Sequence, residues 1–157
     1  MIDAGQCSQV KMAEVVSIHI AAERNGPAQA LAEARVVADH GIDGDWRSHP
    51  RNSRQLTLIE EEGLLATGSR LGLTVPPGAS RRQVVVRGIS LNATVGKTLR
   101  LGRVLVTVTD RCDPCENMER TIAPGARLAM ATHGGICARV VEGGTLRVGD
   151  QVVVESR

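Results

Sequence analysis

Short runs of β-branched residues separated by glycine turns are the feature of this sequence that most limits its possible folds. Residues 104–109 alternate valine with leucine and threonine, and similar runs occur at 14–20, 81–88 and 136–141. With 17 glycines available for turns and Trp46 as the only large aromatic residue, the core must be aliphatic. The pattern predicts a mostly β, barrel-like fold of six or seven strands, closed or nearly closed, with one or two short helices.

Local patterns predict several further elements. Residues 60–71 have the composition of a helix. Residues 136–141 and 146–148 flank Gly143-Gly144 and are expected to form a hairpin. Residues 28–38 suit a helix by composition and a strand by alternation, and periodicity leaves both readings open.

The length of 157 residues fits a single domain over residues 13–157, preceded by a loose tail at 1–12. Nineteen basic residues against 17 acidic ones give a formal net charge of +2, which does not indicate a nucleic-acid partner. No apolar run has the length of a signal peptide or a membrane span. We therefore expect a cytoplasmic protein with no membrane partner, and four cysteines that stay reduced.

Three of the four cysteines fall in one stretch, residues 104–137. The strand predicted at 104–109 leads to Cys112-Asp113-Pro114-Cys115, and residues 116–120 suit a short helix. The first turn of that helix would place its positive dipole end near the Cys115 sulfur, which favours a thiolate.

Two chemical interpretations of this stretch come from spacing alone. A strand followed by C-x-P-C and a helix is the order found in thiol-disulfide oxidoreductases, but that fold needs parallel strands with crossover helices. A structural zinc site could instead use Cys112, Cys115, His133 and Cys137, although an aliphatic core of this size needs no metal to fold. A third interpretation comes from motifs elsewhere in the chain.

Five short motifs follow one another along the sequence. They are GIDGD at 41–45, RQLTLI at 54–59, RRQVVVRG at 81–88, CDPC at 112–115, and HGGI at 133–136 with a later Gly149-Asp150. Their order and spacing resemble the MOSC family, which includes the C-terminal domain of molybdenum cofactor sulfurases and stand-alone bacterial proteins. The resemblance extends over residues 13–154.

The resemblance implies a β-rich, barrel-like fold in which residues 28–38 are extended. It also implies binding of molybdenum cofactor or carriage of sulfur, since some members ligate the metal through a cysteine and reduce N-hydroxylated substrates, and others are thought to carry a persulfide. Cys115 stands at the key cysteine of the family, and Cys112 is then a resolving thiol or a bystander. Whether a purified sample would keep the cofactor, or bind it only transiently, is left open by the sequence, because an open pocket in a small domain can lose its ligand.

Further site residues are carried over from the family motifs. Arg81 and Gln83 match an Arg-x-Asn entry to a strand, where Gln83 departs from the usual asparagine. Gln55 and Thr57 match positions that face the pterin, and Asp113 is expected to make a polar contact near the key cysteine. Taken singly, Thr57 is also an ordinary strand residue and Asp113 an ordinary turn residue.

The resemblance implies a partner protein, because the chain contains no sequence for a sulfur- or electron-generating module. The partner would be a pyridoxal-phosphate cysteine desulfurase or an electron-donor reductase. Whether the chain catalyses a reaction by itself is left open by the sequence. The remaining alternative is a non-catalytic module that binds a small anion.

Overall fold

The computed structural model describes residues 12–155, and its strands are short. They are β1 (Glu14–Ile20), β2 (Gln29–Leu31), β3 (Glu33–Val37), β4 (Gly41–Ile42), β5 (Leu56–Glu60), β6 (Val84–Arg87), β7 (Thr98–Leu101), β8 (Val104–Arg111), β9 (Ile136–Glu142), β10 (Gly144–Arg147) and β11 (Val152–Glu155). The helices are α1 (Glu61–Leu71), α2 (Glu116–Ile122) and α3 (Ala126–Ala129), with 3₁₀ turns at Pro77–Ser80 and Leu91–Thr94. The mostly β prediction is confirmed, with more strands than the six or seven expected.

Eight strands form one large mixed sheet in the order β11-β7-β8-β9-β5-β6-β1-β2. All neighbours are antiparallel except β5 and β6, which α1 connects as a parallel pair. Across the gap between β1 and β11, Glu14 and Gln151 form a single bridge, and the Val152 N–H donates to the Ala13 carbonyl at 2.9 Å. The sheet is therefore barrel-like but not closed by a continuous ladder among the described residues.

The second sheet contains three strands in the order β10-β3-β4. Because β10 pairs with β3, residues 136–141 and 146–148 do not form the predicted hairpin, and that prediction is wrong. Gly144 has a φ of +155° and Gly143 packs against the Val36 carbonyl, so this glycine pair carries the chain away from β9 instead of folding it back. Residues 28–38 are extended, as the family resemblance implied.

Two apolar clusters fill the interior. The larger one lies between the sheets and is built from valine, leucine and isoleucine. The smaller one joins Leu64 of α1 and Met118 of α2 to Ile59, Val85 and Met130. This second cluster fixes α2, and with it the preceding Cys115, against the large sheet.

The predicted domain boundaries fall partly outside residues 12–155. The tail predicted at residues 1–12 lies outside the described residues except for Met12, and the single domain over 13–157 stays a prediction. Within residues 12–155, no helix is both long and apolar enough to cross a bilayer.

Candidate functional site

A cleft of about 590 Å³ opens beside the segments that precede β5 and β6 and follow β8. Six arginines contribute to its lining: Arg24, Arg47, Arg54, Arg81, Arg82 and Arg120. The carboxylate that lines it is Glu116, and Cys112 and Cys115 place two thiols in the same wall. The cleft is therefore strongly cationic and contains soft sulfur nucleophiles, a combination suited to an anionic ligand.

Arg82 holds the cysteine loop in place. The residue is 6% exposed, and its Nε donates to the Gly134 carbonyl at 2.7 Å. A terminal nitrogen donates to the Asp113 carbonyl at 2.9 Å, with a longer contact of 3.4 Å to the Cys112 carbonyl. One guanidinium thus ties the loop after β8 to the loop before β9 and keeps a positive charge beside the thiols.

The loop that carries Trp46 is anchored by a buried carboxylate. Asp45 is 5% exposed and accepts from the Ala21 N–H at 3.0 Å and from the Arg47 guanidinium at 3.1 Å. Arg47 also donates to the Arg81 carbonyl at 2.8 Å, and burial lowers its pKa while Asp45 opposes that shift. Asp45 therefore has a structural role in this loop.

Trp46 gives the cleft one flat aromatic face. The guanidinium carbons of Arg47 and Arg24 lie 4.9 and 5.9 Å from its ring centroid, within the range of a cation–π contact. These contacts hold the guanidinium groups of two of the six arginines against the indole ring.

Gln83 and Thr57 form a reciprocal pair across the parallel strands. The Thr57 N–H and hydroxyl donate to Gln83 Oε1 at 2.9 and 3.2 Å, and the Gln83 N–H donates to the Thr57 hydroxyl at 2.9 Å. Gln83 Nε2 is buried without a hydrogen-bond partner among the described residues. Thr57 lines the cleft, and Gln83 lies directly behind it.

Arg81 sits in the left-handed region with a φ of +65°, a conformation that non-glycine residues seldom adopt. Its Nε is likewise buried without a partner within residues 12–155, and the residue lines the cleft. A strained backbone and an unsatisfied donor at one residue are features that concentrate at functional sites.

Gln55 and Asp113 are placed differently from the other predicted residues. The Gln55 amide is buried and used internally, since Oε1 accepts from the Val140 N–H at 3.0 Å and Nε2 donates to Asp39 at 3.2 Å. Asp113 is exposed and contacts Arg82 through its carbonyl. Neither residue lines the cleft, so their contact with a ligand stays a prediction.

The cysteines form two kinds of site. Cys115 is exposed, extended in backbone, and directly precedes α2. Cys112 and Cys137 are buried. In the β8–β9 ladder, Cys137 lies opposite Asp110. Because side chains two residues apart on an extended chain share a face, Cys112 projects on the same side as Cys137. A hydrogen bond from the Cys137 thiol, with help from the Arg82 charge, lowers the pKa of Cys112, and the same hydrogen bond raises the pKa of Cys137.

The zinc site is not formed. Within residues 12–155, no three His, Cys, Asp or Glu side chains are grouped so as to hold a metal ion. The His133 ring packs against Gly63 of α1, away from the cleft lining. The oxidoreductase interpretation also lacks its fold, because among the described strands β8, which leads to Cys112, pairs only with antiparallel neighbours.

Most of the arginines that line the cleft were not among the residues predicted from the sequence. The five that were not predicted are Arg24, Arg47, Arg54, Arg82 and Arg120. They lie in several loops and in α2, and no single local motif joins them. The sequence feature that could have indicated them is the overall composition, since only two of the 19 basic residues are lysine. Guanidinium groups are preferred over ammonium groups where phosphate or carboxylate is bound in a fixed geometry.

Comparison with known proteins gives a family and a fold. The family model of the MOSC domain matches residues 45–153. The solved structure of YuaD from Bacillus subtilis has a TM-score of 0.75 at 17% identity, over 90% of this chain and 94% of that one. YiiM from Geobacillus stearothermophilus has a TM-score of 0.70 at 17% identity, over 92% of this chain and 76% of that one. YiiM from Escherichia coli has a TM-score of 0.67 at 19% identity, over 91% of this chain and 70% of that one.

No curated protein matches this sequence significantly. At such low identities, the structural likeness to the solved proteins establishes the fold alone.

Proposed function

The chain belongs to the MOSC domain family, and on this premise we propose that its cleft binds molybdenum cofactor with Cys115 as the metal ligand. The observation that carries the proposal is an exposed thiol, Cys115, in a cleft that six arginines also line. Molybdenum favours a soft thiolate, and the phosphate of the cofactor favours guanidinium groups. The cleft offers both kinds of group.

The polar atoms left without partners fit the same ligand. Buried N–H groups are nearly always paired in folded proteins, so Arg81 Nε and Gln83 Nε2 are exceptions that a bound hydrogen-bonding group would explain. Because Thr57 already occupies Gln83 Oε1, the amide nitrogen is the part of Gln83 that remains for a ligand. The longer side chain at this position therefore keeps an unpaired donor behind Thr57, where the family has an asparagine.

The residues of the chain would bind and orient the ligand. When bound, the cofactor supplies two-electron transfer at molybdenum, suited to the reduction of N-hydroxylated compounds with an external electron donor. Arg54 and Arg120 are exposed and would attract the anion. Arg82 fixes the loop that carries Cys115, so the thiol is held in position before a ligand arrives.

Sulfur carriage is the second candidate, and the position of Cys112 favours it. Cys112 lines the same cleft as Cys115, and metal ligation by Cys115 alone would not require a second thiol there. In this function, Cys115 would receive sulfane sulfur as a persulfide from a pyridoxal-phosphate cysteine desulfurase. Exposure of Cys115 makes it accessible to such a partner.

Elemental analysis tests the first candidate. The protein would be purified from a host that makes the pterin cofactor, and molybdenum and zinc would be measured in wild type, Cys115→Ser, Arg54→Gln and Arg51→Gln. Arg54 and Arg51 are exposed arginines three residues apart, but only Arg54 lines the cleft. We expect near-stoichiometric molybdenum in wild type and Arg51→Gln, less in Arg54→Gln, and none in Cys115→Ser.

Two results would contradict cofactor binding. Molybdenum retained by Cys115→Ser would remove Cys115 as the ligand, and equal loss in both arginine variants would show that the cleft is not the site. Stoichiometric zinc without molybdenum would contradict the proposal as a whole.

A further inference from the structure

We infer that Cys112 is a second nucleophile of the cleft and that it accepts sulfane sulfur from a persulfide on Cys115. The inference rests on the sulfur-carrier candidate of the proposed function. It assigns Cys112 a chemical role, where the family resemblance left a choice between a resolving thiol and a bystander.

The position of Cys112 is the first support. The residue is 2% exposed, yet it lines the cleft together with Cys115, so the cleft gives access to its sulfur. Its backbone is fixed, because its N–H donates to the Gly135 carbonyl at 2.8 Å. A Cβ at Gly134 would overlap the Cys112 carbonyl, so these two segments are in direct contact.

The surroundings of Cys112 are the second support. Interaction with the Cys137 thiol on β9 is the largest cause that lowers the pKa of Cys112, and the positive charges of Arg82, Arg54 and Arg47 act in the same direction. Burial opposes this shift but does not overcome it. These groups stabilise a thiolate, which is the form of cysteine that attacks sulfur.

Accessibility sets the order of the two cysteines. A desulfurase or another protein that carries a persulfide can reach the exposed Cys115, whereas Cys112 is 2% exposed and is accessible only from within the cleft. Sulfur would therefore arrive at Cys115 and pass inward. At Cys112 it would be sheltered from solvent thiols and would face the ligand cleft.

The transfer balances without a further reagent. The Cys112 thiolate attacks the terminal sulfur of the Cys115 persulfide, and a new S–S bond forms at Cys112 while the S–S bond at Cys115 breaks. Cys115 leaves as a thiolate, and the proton of the persulfide stays with the terminal sulfur. One thiolate and one persulfide are consumed and one of each is formed, so no electrons are gained or lost.

Time-resolved mapping of sulfane sulfur tests the transfer. Reduced protein would be exposed briefly to sodium tetrasulfide, freed of excess donor, and trapped with iodoacetamide at increasing times for mass spectrometry of the tryptic peptide 112–120. Fragmentation at the Asp113–Pro114 bond separates the two cysteines of this peptide. We expect sulfane sulfur first on Cys115 and then on Cys112, with the total constant after donor removal.

Two variants test whether sulfur reaches Cys112 through Cys115. In Cys112→Ser the sulfur should stay on Cys115, and in Cys115→Ser the loading of Cys112 should fall about tenfold or more, because access controls thiol exchange. Equal loading of Cys112 in wild type and Cys115→Ser would overturn the transfer. A Cys112–Cys115 or Cys112–Cys137 disulfide formed in place of the Cys112 persulfide would also overturn it.

A matched pair of variants tests the thiolate separately. Cys137→Ser retains a hydrogen-bond donor and Cys137→Ala removes it. Iodoacetate labelling of Cys112 below pH 7 should slow in Cys137→Ala much more than in Cys137→Ser, by about tenfold for each unit that the pKa of Cys112 rises. Equal labelling in both variants would contradict the proposed role of Cys137.

Failure of the transfer to Cys112 can be distinguished from failure of sulfur carriage. If Cys115 accepts sulfur and Cys112 never does, the inference fails and sulfur carriage stands. If Cys115 accepts no sulfur, sulfur carriage itself fails, and the inference fails with it.

Discussion

Arg82→Met is the substitution expected to separate the structural framework of the cleft from its surface charge. It removes the two short hydrogen bonds to the Gly134 and Asp113 carbonyls, at 2.7 and 2.9 Å, from a residue that is 6% exposed. Each carbonyl left without a donor costs about 1–3 kcal/mol. Removing a buried cation returns part of that cost, so we expect a net loss of about 2–3 kcal/mol in the free energy of unfolding.

Urea unfolding and thermal melts measure this loss. For a domain of this size, it corresponds to a fall in Tm of about 5–10 °C. Arg120→Met is the matched control, because Arg120 lines the same cleft but its side chain is 72% exposed and its Glu116 partner is 3.6 Å away. The control should lose less than about 0.5 kcal/mol.

Arg82→Lys separates the charge from the shape of the guanidinium. One ammonium cannot reproduce the planar fork that reaches two carbonyls, so we expect Arg82→Lys to remain less stable than wild type. An Arg82→Met protein within 1 kcal/mol of wild type would refute the structural role given to this residue.

Three further results are expected. Gly135→Ala should destabilise the protein by about 3 kcal/mol or more in urea unfolding, since φ is +97° and a Cβ would overlap the Leu58 carbonyl; a change below about 1 kcal/mol would contradict this. Thr57→Val should cost about 2 kcal/mol by the same assay, because the buried N–H of Gln83 loses its acceptor, and an unchanged midpoint would argue against it. The rate of iodoacetate labelling of Cys112 should stay high as the pH falls below 8, because the lowered pKa keeps this cysteine a thiolate in that range. A labelling rate that falls tenfold per pH unit from pH 8 would exclude the thiolate.

Strand positions were readable from the sequence because they follow local patterns. The alternation of Glu14–Ile20 and the β-branched run before Cys112 appear as β1 and β8, and the acidic start of 60–71 appears as α1. Each pattern reflects one buried face or one helix end, so neighbouring residues contain the information.

Strand partners could not be read in the same way. Gly143-Gly144 has the composition of a hairpin turn, yet the following strand pairs with β3, more than one hundred residues earlier in the chain. Strand pairing depends on which apolar faces meet in the core, and local sequence patterns do not contain that information.

The site was predictable where a motif marked it. Cys115, Arg81 and Thr57 were identified through the family resemblance, and all three line the cleft. Arg47 and Arg54 were not identified, although Arg54 is the first residue of the RQLTLI motif, because their positions depend on how the loop after β4 folds around Asp45. An arginine carries no local signal of which way its side chain will face.

The backbone of Arg81 also bears on any attempt to make this protein more heat-resistant. A search for stabilising substitutions would select this position, since glycine would relieve the cost of a positive φ, about 1 kcal/mol or more. The same change would delete one of the guanidinium groups facing the cleft. If the cleft binds an anion as proposed, the substitution that raises the thermal stability at Arg81 would therefore lower the affinity for that ligand.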